Sequence, residues 1–558
     1  MNISMKRVSL LAICGLVTSA LFAQKDDVPK GWHMLDRASS GYYGISVDKA
    51  YNFVKTKKLK SNTVIVAVID SGIDTTHEDL RSVLWKNPKE IPGNGVDDDK
   101  NGYVDDIYGW NFIGGRDGRN VEQDSYEAAR VYHQFKSKYD GKEIDPSTLS
   151  KDDRFEYEMW LRSKAEIVGE VNPLEVMQLR RISKSMKAGD SVIRKELGKE
   201  EYSCKDLATY QTSNAAANNA KGVLLNICKA NDTEEITNQQ ILDQLESDLN
   251  KMEASEVVPK NYRNDIVQDN YNDFNDRFYG NNDVMSSNKG ALHGTHVSGI
   301  IAAARGNGKG MDGIADNVKI MMIRAVPDGD EHDKDIALAI RYAVDNGAQV
   351  INMSFGKGFS PEKKWVDDAV KYAESKNVLL VHAAGNDAKN IDTTFNYPTP
   401  VTIAGERPSN WITVGASGDP KAGGVTANFS NYGKNEVDVF APGVKIYATV
   451  PGGNTYQNLQ GTSMASPVVA GLAAFLLEYY PNLSAKQVKM VIEKSSVKLA
   501  EKVKNPETGD MVPLSTLSKS GGLINAYEAI KLASTLKGER NAQPAKPVKS
   551  TVQPKVKG

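Results

Sequence analysis

The stretch VIVAVIDSGID, residues 64–74, joins a run of apolar and β-branched residues to an aspartate, Asp70, and a glycine-containing turn. An apolar run without polar alternation is typical of a strand that is buried on both faces, as in a parallel sheet. In open α/β sheets, functional side chains gather beyond the carboxyl ends of the strands, which is the position of Asp70. The stretch therefore predicts a parallel strand that presents a functional carboxylate.

Similar apolar runs follow along the chain, with helical patterns between them. The candidate strands span residues 64–70, 319–326, 349–355, 378–384 and 411–416. Helices are predicted between two of these runs, at about 336–343, and from about 463 to 480. Buried strands that alternate with helices predict an α/β fold with a mostly parallel sheet and helices on both faces.

Two further motifs contain a histidine and a serine, which can act together with a carboxylate such as Asp70. HGTHVSG begins with His293, and GTSMASP carries Ser463, each at the start of a helical pattern. A serine hydroxyl is a weak nucleophile until an imidazole takes its proton, and the imidazole needs a carboxylate to fix its tautomer. A serine at a helix N-terminus also lies beside unpaired backbone N–H groups, which stabilise a developing oxyanion. Taken alone, Ser463 is better explained as a helix N-cap, which is the commonest role of a serine before a helix.

A fourth motif, HAAGND at residues 382–387, follows another predicted strand. Its asparagine, Asn386, has a side-chain amide that can donate a hydrogen bond into a cleft. As an isolated Gly-Asn turn the motif carries no information, so its meaning depends on the other three.

Taken in order, VIDSGID, HGTHVSG, AAGN and GTSMASP resemble the motifs of the subtilisin-like serine proteases, the subtilase family. The order aspartate, histidine, serine is that of subtilisin. The resemblance covers about residues 40–110 and 285–535, and it implies a subtilisin-like fold. It also implies that Asp70 orients the base, His293 is the general base, Ser463 is the nucleophile and Asn386 lines the oxyanion hole.

The resemblance further implies how a substrate is held. Ser354, Phe355 and Gly356 resemble the edge segment of the family, whose backbone pairs with an extended polypeptide. Asp387, next to the oxyanion asparagine, is predicted to border the primary specificity pocket and to favour basic side chains. The expected partners are polypeptide substrates, and the chemistry requires no cofactor.

Five segments are predicted along the 558 residues. They are a signal peptide at 1–23, the N-terminal part of the catalytic domain at 24–114, a mainly helical insertion at 115–285, the rest of the catalytic domain at 286–536, and a disordered tail rich in lysine and proline at 537–558. The insertion is either an elaborated surface that packs on the core or a lid over the cleft. The sequence leaves both interpretations open.

The N-terminus predicts export. A basic pair, Lys6 and Arg7, precedes an apolar run that ends before Ala23, as in a secretory signal, and the expected destination is the periplasm, the cell surface or the medium. No later stretch is apolar enough to predict a membrane span in the mature chain. In an exported protein Cys204 and Cys228 can form a disulfide, although their spacing alone does not decide it.

An acidic stretch, DDDKNGYVDD at residues 97–106, indicates a metal site. Asp97, Asp99, Asn101 and Asp105 occupy alternating positions around Gly102, as in part of an EF-hand calcium loop, but the glutamate of the twelfth position is missing. The stretch predicts either a structural calcium site or a solvated acidic turn.

The function that these features favour is an exported serine endopeptidase that acts through an acyl-enzyme. Two alternatives stay open on the same fold: a catalytically inactive binding scaffold, and a peptide ligase or cyclase in which an amine intercepts the acyl-enzyme. A zinc hydrolase is disfavoured, because His293 and His296 lack the spacing and the glutamate of a zinc-binding helix. A net charge of −2 gives no indication of a nucleic-acid partner, and the oligomeric state is not predicted.

Overall fold

The computed structural model describes residues 28–168, 173–199, 201–230 and 237–540. The predicted signal peptide and residues 541–558 of the predicted tail lie outside this range. The chain divides into two compact units. The helical unit covers Ala128–Pro259, and the sheet unit is formed by the described residues before and after it.

The strands, in chain order, are β1 Val64–Asp70, β2 Gly109–Asn111, β3 Val318–Arg324, β4 Val350–Met353, β5 Leu379–Ala383, β6 Trp411–Asp419, β7 Ala422–Thr426, β8 Val439–Pro442, β9 Ile446–Val450, β10 Thr455–Leu459, β11 Val497–Lys498, β12 Val503–Lys504, β13 Met511–Val512 and β14 Gly522–Leu523.

The α-helices are α1 Arg37–Ser40, α2 Val47–Thr56, α3 Glu127–Tyr139, α4 Lys151–Val168, α5 Pro173–Leu197, α6 Cys204–Thr209, α7 Ala215–Ala230, α8 Asn238–Glu253, α9 Tyr262–Ile266, α10 Leu292–Ala302, α11 Asp333–Asp345, α12 Lys363–Ser375, α13 Thr462–Tyr479, α14 Ala485–Ser495 and α15 Ala526–Ala533. Short 3₁₀ turns lie at Trp32–Met34, Pro146–Thr148 and Leu514–Thr516.

One large sheet organises the sheet unit. In the described chain it has ten strands, in the order β11-β14-β8-β6-β5-β4-β1-β3-β2, with β7 beside β6. Neighbouring strands run parallel except for the pairs β11–β14 and β6–β7. The five strands predicted from apolar runs correspond to β1, β3, β4, β5 and β6, which lie together in the sheet. The predicted α/β fold with a mostly parallel sheet is therefore confirmed.

Alternate residues of β1 are buried against two different layers of helices. Val66 and Val68 pack in a core with residues of α10, α13, α14 and α15. Ala67 and Ile69 pack in a second core with residues of α11 and α12. Because side chains alternate along a strand, Asp70 projects to the same side as Val68, toward the layer that contains α10 and α13.

The helical unit has a core of its own, to which α5, α6, α7 and α8 contribute. A disulfide joins Cys204 at the start of α6 to Cys228 in α7, so the structure contains the pairing that the sequence left open. The boundaries of the unit, Ala128 and Pro259, lie inside the predicted insertion at 115–285. Residues 115–127 and 260–285 belong to the sheet unit and precede and follow the helices.

Among the described residues one helix, α13, is long and apolar enough to cross a membrane by length and composition alone. Most of its residues are buried between α10 and the sheet, as in the core helix of a globular protein. It is therefore weak evidence for a membrane span, although the sequence analysis expected no such stretch. Near the end of the described ranges, Arg540 donates to the carbonyl oxygens of Leu483 and Asn377, at 3.0 and 2.9 Å, so described contacts extend beyond residue 537, the predicted start of the tail.

Candidate active site

Asp70 is the last residue of β1, and its carboxylate lies against the N-terminus of α10. Its Oδ1 accepts a hydrogen bond from the N–H of Ser71 at 2.8 Å and lies 2.7 Å from Nδ1 of His293. Gly294 makes this approach sterically possible. A Cβ at position 294 would lie 2.2 Å from the carbonyl oxygen of Gly72. Only glycine therefore lets α10 begin so close to the acid turn, residues 71–74, which follows Asp70.

The environment of His293 favours its protonated form. Desolvation lowers the pKa of the imidazole, but the charge of Asp70 and the hydrogen bond to it raise the pKa by more, so that it lies above its ordinary value. The Asp70 side chain is 2% exposed and that of His293 is 36% exposed, so the bond between them is shielded while the ring remains accessible. A carboxylate on Nδ1 holds the proton there and leaves Nε2 as the acceptor.

Ser463 is the second residue of α13. Its Oγ donates to the carbonyl oxygen of Ser354 at 3.1 Å, and the Ser354 hydroxyl donates in return to the carbonyl oxygen of Ser463 at 2.9 Å. Within the described ranges, no hydrogen bond joins Ser463 to His293. The structure thus brings Asp70 and His293 into direct contact and places Ser463 on the helix packed against α10, with its hydroxyl turned to Ser354.

Asn386 is exposed just beyond β5, and its amide is oriented by α13. Its Oδ1 accepts hydrogen bonds from the N–H of Thr462 at 2.9 Å and from the Thr462 hydroxyl at 3.0 Å. Because both bonds engage Oδ1, the side-chain NH₂ group of Asn386 points away from Thr462 and can donate to another acceptor. A Cβ built on Gly461 would lie 3.6 Å from both Nδ2 of Asn386 and the backbone nitrogen of Ser463. The two donors therefore border the same small space.

The segment after β4, residues 354–357, presents one backbone edge to solvent. Lys357 pairs with Tyr397 through two backbone hydrogen bonds of 3.0 and 2.7 Å. Backbone groups of successive residues in an extended chain point to opposite edges, so those of Gly356 point away from Tyr397. Gly356 is exposed, and in the described part of the chain its N–H and C=O form no backbone hydrogen bond. This edge is available to another extended chain.

Asp387 and Phe355 occupy different surroundings. Asp387 is exposed; its N–H donates to Oδ1 of Asn431 at 3.0 Å, and its Oδ2 accepts from Nδ2 of the Asn431 side chain at 3.3 Å.

The carbonyl of Phe355 lies 2.8 Å from Nε2 of His382. His382 is buried, and burial lowers its pKa to about 4, so it is a core histidine rather than part of the site.

The remaining motif histidine, His296, is also part of the core. Its Nε2 lies 3.1 Å from the carbonyl oxygen of Gln457, and burial lowers its pKa to about 3. Across the described ranges, the only group of carboxylates, histidines or cysteines arranged to hold a metal is Glu90, Asp97 and Asp99. The two histidines of HGTHVSG are therefore not assembled with such a group.

The acidic loop brings together two of the four predicted metal ligands. Ligand oxygens of Asp97, Asp99 and Glu90 all lie within 4.8 Å of one another. The side-chain oxygen of Asn101, which would be its ligand atom, accepts the N–H of Tyr103 at 2.8 Å. Glu90 could not be found from the spacing, because it lies before the twelve-residue window of an EF-hand template.

Asp105 does not join the carboxylate group. Its oxygens accept hydrogen bonds from the N–H groups of Gly93 and Gly95, at 2.7 and 2.9 Å, and so hold the turn that precedes the acidic stretch. A left-handed backbone at Asp105, with φ of 53°, accompanies this role.

A buried cation near the acid was also missed. Arg324 ends β3 directly beside Asp70, and its Nε donates to the carbonyl oxygen of Ser71 at 2.9 Å. The signal in the sequence is an arginine that closes an otherwise apolar run, IMMIR at residues 320–324.

A family model described as the subtilase family matches residues 61–511. The chain belongs to the subtilase family. The resemblance inferred from the four motifs is thus confirmed, and the matched range of this subtilase includes Asp70, His293, Asn386 and Ser463. The family is one of serine proteases, which are hydrolases that act on polypeptides.

Curated relatives align with part of this subtilase. The thermophilic serine proteinase of Bacillus sp. (strain AK1) is 41% identical over 41% of this chain and 51% of its own length. The cell wall-associated protease of Bacillus subtilis (strain 168) is 39% identical over 40% of this chain and 23% of its own length. Thermitase of Thermoactinomyces vulgaris is 35% identical over 48% of this chain and 85% of its own length. The chain thus spans about half of the first relative, less of the second and most of thermitase.

Proposed function

We propose that this subtilase is an exported serine endopeptidase that cleaves extended polypeptides through an acyl-enzyme. The observation that carries the proposal is the 2.7 Å contact between His293 and Asp70 at the start of α10, which packs against the helix that begins at Ser463. In this assignment Asp70 orients the base, His293 is the base and Ser463 is the nucleophile. Four motifs from distant parts of the sequence then serve one reaction.

Substrate binding is proposed along the open backbone edge at Gly356. A polypeptide laid there as an added strand would bring one of its N–H groups to the carbonyl oxygen of Ser354. That oxygen now accepts the Ser463 hydroxyl at 3.1 Å. A substrate N–H that took this position would release the hydroxyl, which rotation about the Cα–Cβ bond of Ser463 could then turn toward His293.

The chemistry then follows from the groups that surround the serine. Oγ of Ser463 attacks the scissile carbonyl carbon while its proton passes to Nε2 of His293, and Asp70 stabilises the imidazolium. The oxyanion lies between the amide of Asn386 and the N–H of Ser463, which already border one space beside Gly461. His293 returns the proton to the leaving amine, and water releases the acyl group by the same steps in reverse. Residues of this chain and water suffice for every step.

Specificity is proposed to arise next to the oxyanion site. Asp387 is exposed and adjacent to Asn386, so its carboxylate would favour a basic side chain before the scissile bond. Ser354 and Gly356 would contribute their backbone groups, which do not discriminate between side chains, whereas the carbonyl of Phe355 contacts His382 and points away from this edge.

A structural calcium ion is proposed at Glu90, Asp97 and Asp99. Carboxylate oxygens are the ligands that Ca²⁺ prefers, and the oxygens of these three side chains converge within 4.8 Å. Glu90 already accepts the N–H groups of Asp98 and Asp99, at 2.9 and 3.2 Å, so the loop is shaped around its carboxylate. The ion would stabilise the loop before β2 and would take no part in the chemistry.

Export is supported by two features besides the predicted signal. The Cys204–Cys228 disulfide is typical of proteins that mature in an oxidising compartment. One curated relative is itself described as cell wall-associated.

The proposal is tested with purified mature protein and a fluorophosphonate probe. Labelling of the wild type and loss of labelling in a folded Ser463→Ala variant are expected. Digestion of a peptide library in H₂¹⁸O should place the heavy oxygen in the new C-termini. A wild type that is folded yet neither labels nor cleaves would favour the inactive scaffold, and products without incorporated water would favour the ligase.

A further inference from the structure

Three neighbouring strands at one edge of the sheet, β1, β3 and β2, end in polar residues that lie in register. Asp70 of β1 is paired with Arg324 of β3, and Arg324 is paired with Asn111 of β2. In parallel strands, side chains of paired residues project from the same face. Asp70, Arg324 and Asn111 therefore share the face that is covered by α10, the helix that carries His293.

Arg324 connects the acid turn to the chain that leads into the helical unit. Its side chain is 1% exposed; Nε donates to Ser71 at 2.9 Å and Nη2 donates to the carbonyl oxygen of Val121 at 2.7 Å. A third, longer contact of 3.3 Å joins Nη1 to Oδ1 of Asn111. Burial lowers the pKa of Arg324 to about 10 while the carboxylates of Glu122 and Asp283 raise it, so the group stays cationic at neutral pH.

Glu122 continues this connection to the chain that leads into α10. Its carboxylate lies 3.9 Å from Arg324 and accepts hydrogen bonds from the hydroxyls of Ser286 and Ser287, the latter at 3.0 Å. Ser287 in turn accepts the N–H of Gly290 through its hydroxyl at 2.9 Å and the N–H of Ala291 through its carbonyl at 2.8 Å. These last bonds set the turn that immediately precedes His293.

We propose that Arg324 and Glu122 are positioning residues for the reaction, a pair that fixes the acid turn at Ser71 and the turn before His293 relative to each other. The inference rests on the proposed function of Asp70 and His293. It follows from one continuous path of contacts: the turn after Asp70, the Arg324 guanidinium, the Glu122 carboxylate, the two serine hydroxyls and the N-terminus of α10. The acid and the base are far apart in sequence, and this pair spans the gap between them.

A positioning role and a merely stabilising role lead to different kinetics. If the pair only stabilised the fold, its loss would lower the fraction of active enzyme and leave the remaining sites unchanged. If the pair positions the acid and base, its loss weakens the His293–Asp70 contact in every molecule. The pKa of His293 would then fall toward or below its ordinary value, because the charge and hydrogen bond of Asp70 are what raise it.

The experiment compares Glu122→Ala, Glu122→Gln and Arg324→Lys with a matched control, Arg119→Gln. The Glu122 side chain is 43% exposed, so its variants should fold. Glutamine keeps an oxygen for the two serines and should restore part of the activity that alanine loses. Arg119 binds Asp117 and Asp265 in the same region but contacts neither the acid turn nor the turn before His293, so it controls for general loosening.

We expect Glu122→Ala and Arg324→Lys to lower kcat on the order of 10²-fold, with KM little changed. The midpoint of the acid limb of the kcat/KM profile should shift to lower pH, after rates are corrected by active-site titration. Arg119→Gln should retain the wild-type midpoint. Folded Glu122 and Arg324 variants with the wild-type midpoint and the wild-type rate per titrated site would overturn the inference. A wild type that is not labelled by fluorophosphonate would instead overturn the proposed function.

Discussion

The two halves of the proposed triad are held in different ways. The acid–base half is joined directly, with His293 2.7 Å from a carboxylate that is itself fixed by the N–H of Ser71. The nucleophile half is held by the segment proposed to bind substrate, since Ser463 and Ser354 exchange hydrogen bonds of 3.1 and 2.9 Å. The contact between His293 and Asp70 is therefore formed before substrate binds, whereas the Ser463 hydroxyl donates to Ser354 instead of to His293.

This difference fits the demands on each group. A general base must have the correct tautomer before the reaction begins. A buried carboxylate fixes that tautomer in advance, so no free energy is needed to orient the imidazole when substrate binds. A nucleophile is needed only when a carbonyl carbon is in place. In the proposed mechanism the Ser354 carbonyl therefore links substrate binding to release of the hydroxyl.

The largest effect should come from the nucleophile half. Ser463→Ala should lower kcat on the order of 10⁶-fold, the loss known for removal of the nucleophile in subtilisin, and should abolish fluorophosphonate labelling. The same change one helical turn later, Ser466→Ala, provides the matched control. Ser466 donates to Oδ1 of Asn352 at 2.8 Å, so its loss should lower the free energy of unfolding by about 1–3 kcal/mol and leave labelling intact.

Peptide hydrolysis and thermal unfolding of both variants decide this prediction. Labelling that persisted in folded Ser463→Ala would mean that another residue is the nucleophile. Loss of labelling in folded Ser466→Ala would mean that the assay reports the integrity of α13 rather than the hydroxyl.

The acid–base half should show the next largest effect. Asp70→Asn should lower kcat on the order of 10⁴-fold, because an amide can hold the wrong imidazole tautomer. Wild-type kcat/KM should rise with pH through a midpoint above about 6.5, since Asp70 raises the pKa of the base and only the neutral ring accepts a proton. Without the carboxylate, burial alone remains and the midpoint should move to lower pH.

Asp74→Asn is the matched control for this change. Oδ1 of Asp74 accepts the N–H of Thr76 at 2.8 Å in the same turn, and an asparagine oxygen can do the same. Rates measured from pH 5 to 9 should be near those of the wild type for Asp74→Asn. An unshifted midpoint in Asp70→Asn would show that the limb does not report His293.

The oxyanion site belongs to the nucleophile half and should show a smaller effect. Asn386→Ala should lower kcat about 10²–10³-fold with little change in KM, because the lost donor acts on a charge that develops only in the transition state. Asn386→Asp separates the two ends of the side chain. It keeps an oxygen for the N–H of Thr462, which Asn386 now accepts at 2.9 Å, but it offers no amide donor.

Steady-state kinetics on one peptide substrate checks this pair. Asn386→Asp should be at least as impaired as Asn386→Ala, because its charge repels the oxyanion. A variant aspartate with near wild-type kcat would assign Asn386 to the support of α13 rather than to catalysis.

Sequence patterns predicted the strands and helices whose spacing of apolar residues is regular along the chain. The predicted strand at 64–70 corresponds to β1 residue for residue, and its residues before Asp70 are all apolar because the strand lies between two layers of helices. The predicted helix at 463–480 begins at Thr462 and ends at Tyr479. The residues proposed for the triad could be chosen because each stands where a strand ends or a helix begins.

Contacts between distant segments could not be predicted in the same way. The bond from Ser463 to Ser354 depends on how α13 packs on β4, which no local pattern encodes. Arg324 gains its meaning only from β1 and β2 beside it, and Glu90 joins Asp97 and Asp99 only after the loop folds back. Spacing templates fail for such residues because the chain between them has no fixed path.

The smallest effect is expected from the acidic loop, which leads into β2 on the acid–base side of the sheet. Removing calcium with a chelator should lower the melting temperature by a few degrees, since a ligand at 100 times its Kd stabilises the folded state by about 2.7 kcal/mol. Added Ca²⁺ should restore it, and Asp97→Asn with Asp99→Asn should remove the dependence. Asp105→Asn is the matched control, because the Asp105 oxygens hold Gly93 and Gly95 rather than the carboxylate group.

Calorimetry with and without chelator separates this loop from the triad. The kcat at 25 °C and the midpoint of its acid limb should not change when calcium is removed, because the proposed ion takes no part in proton transfer. If the midpoint moved with calcium, the loop would act on His293 through β2 and Arg324, and the acid–base half would be less rigid than its short contacts indicate. A melting temperature that is insensitive to both chelator and Ca²⁺ would leave Glu90, Asp97 and Asp99 as a hydrogen-bonded turn.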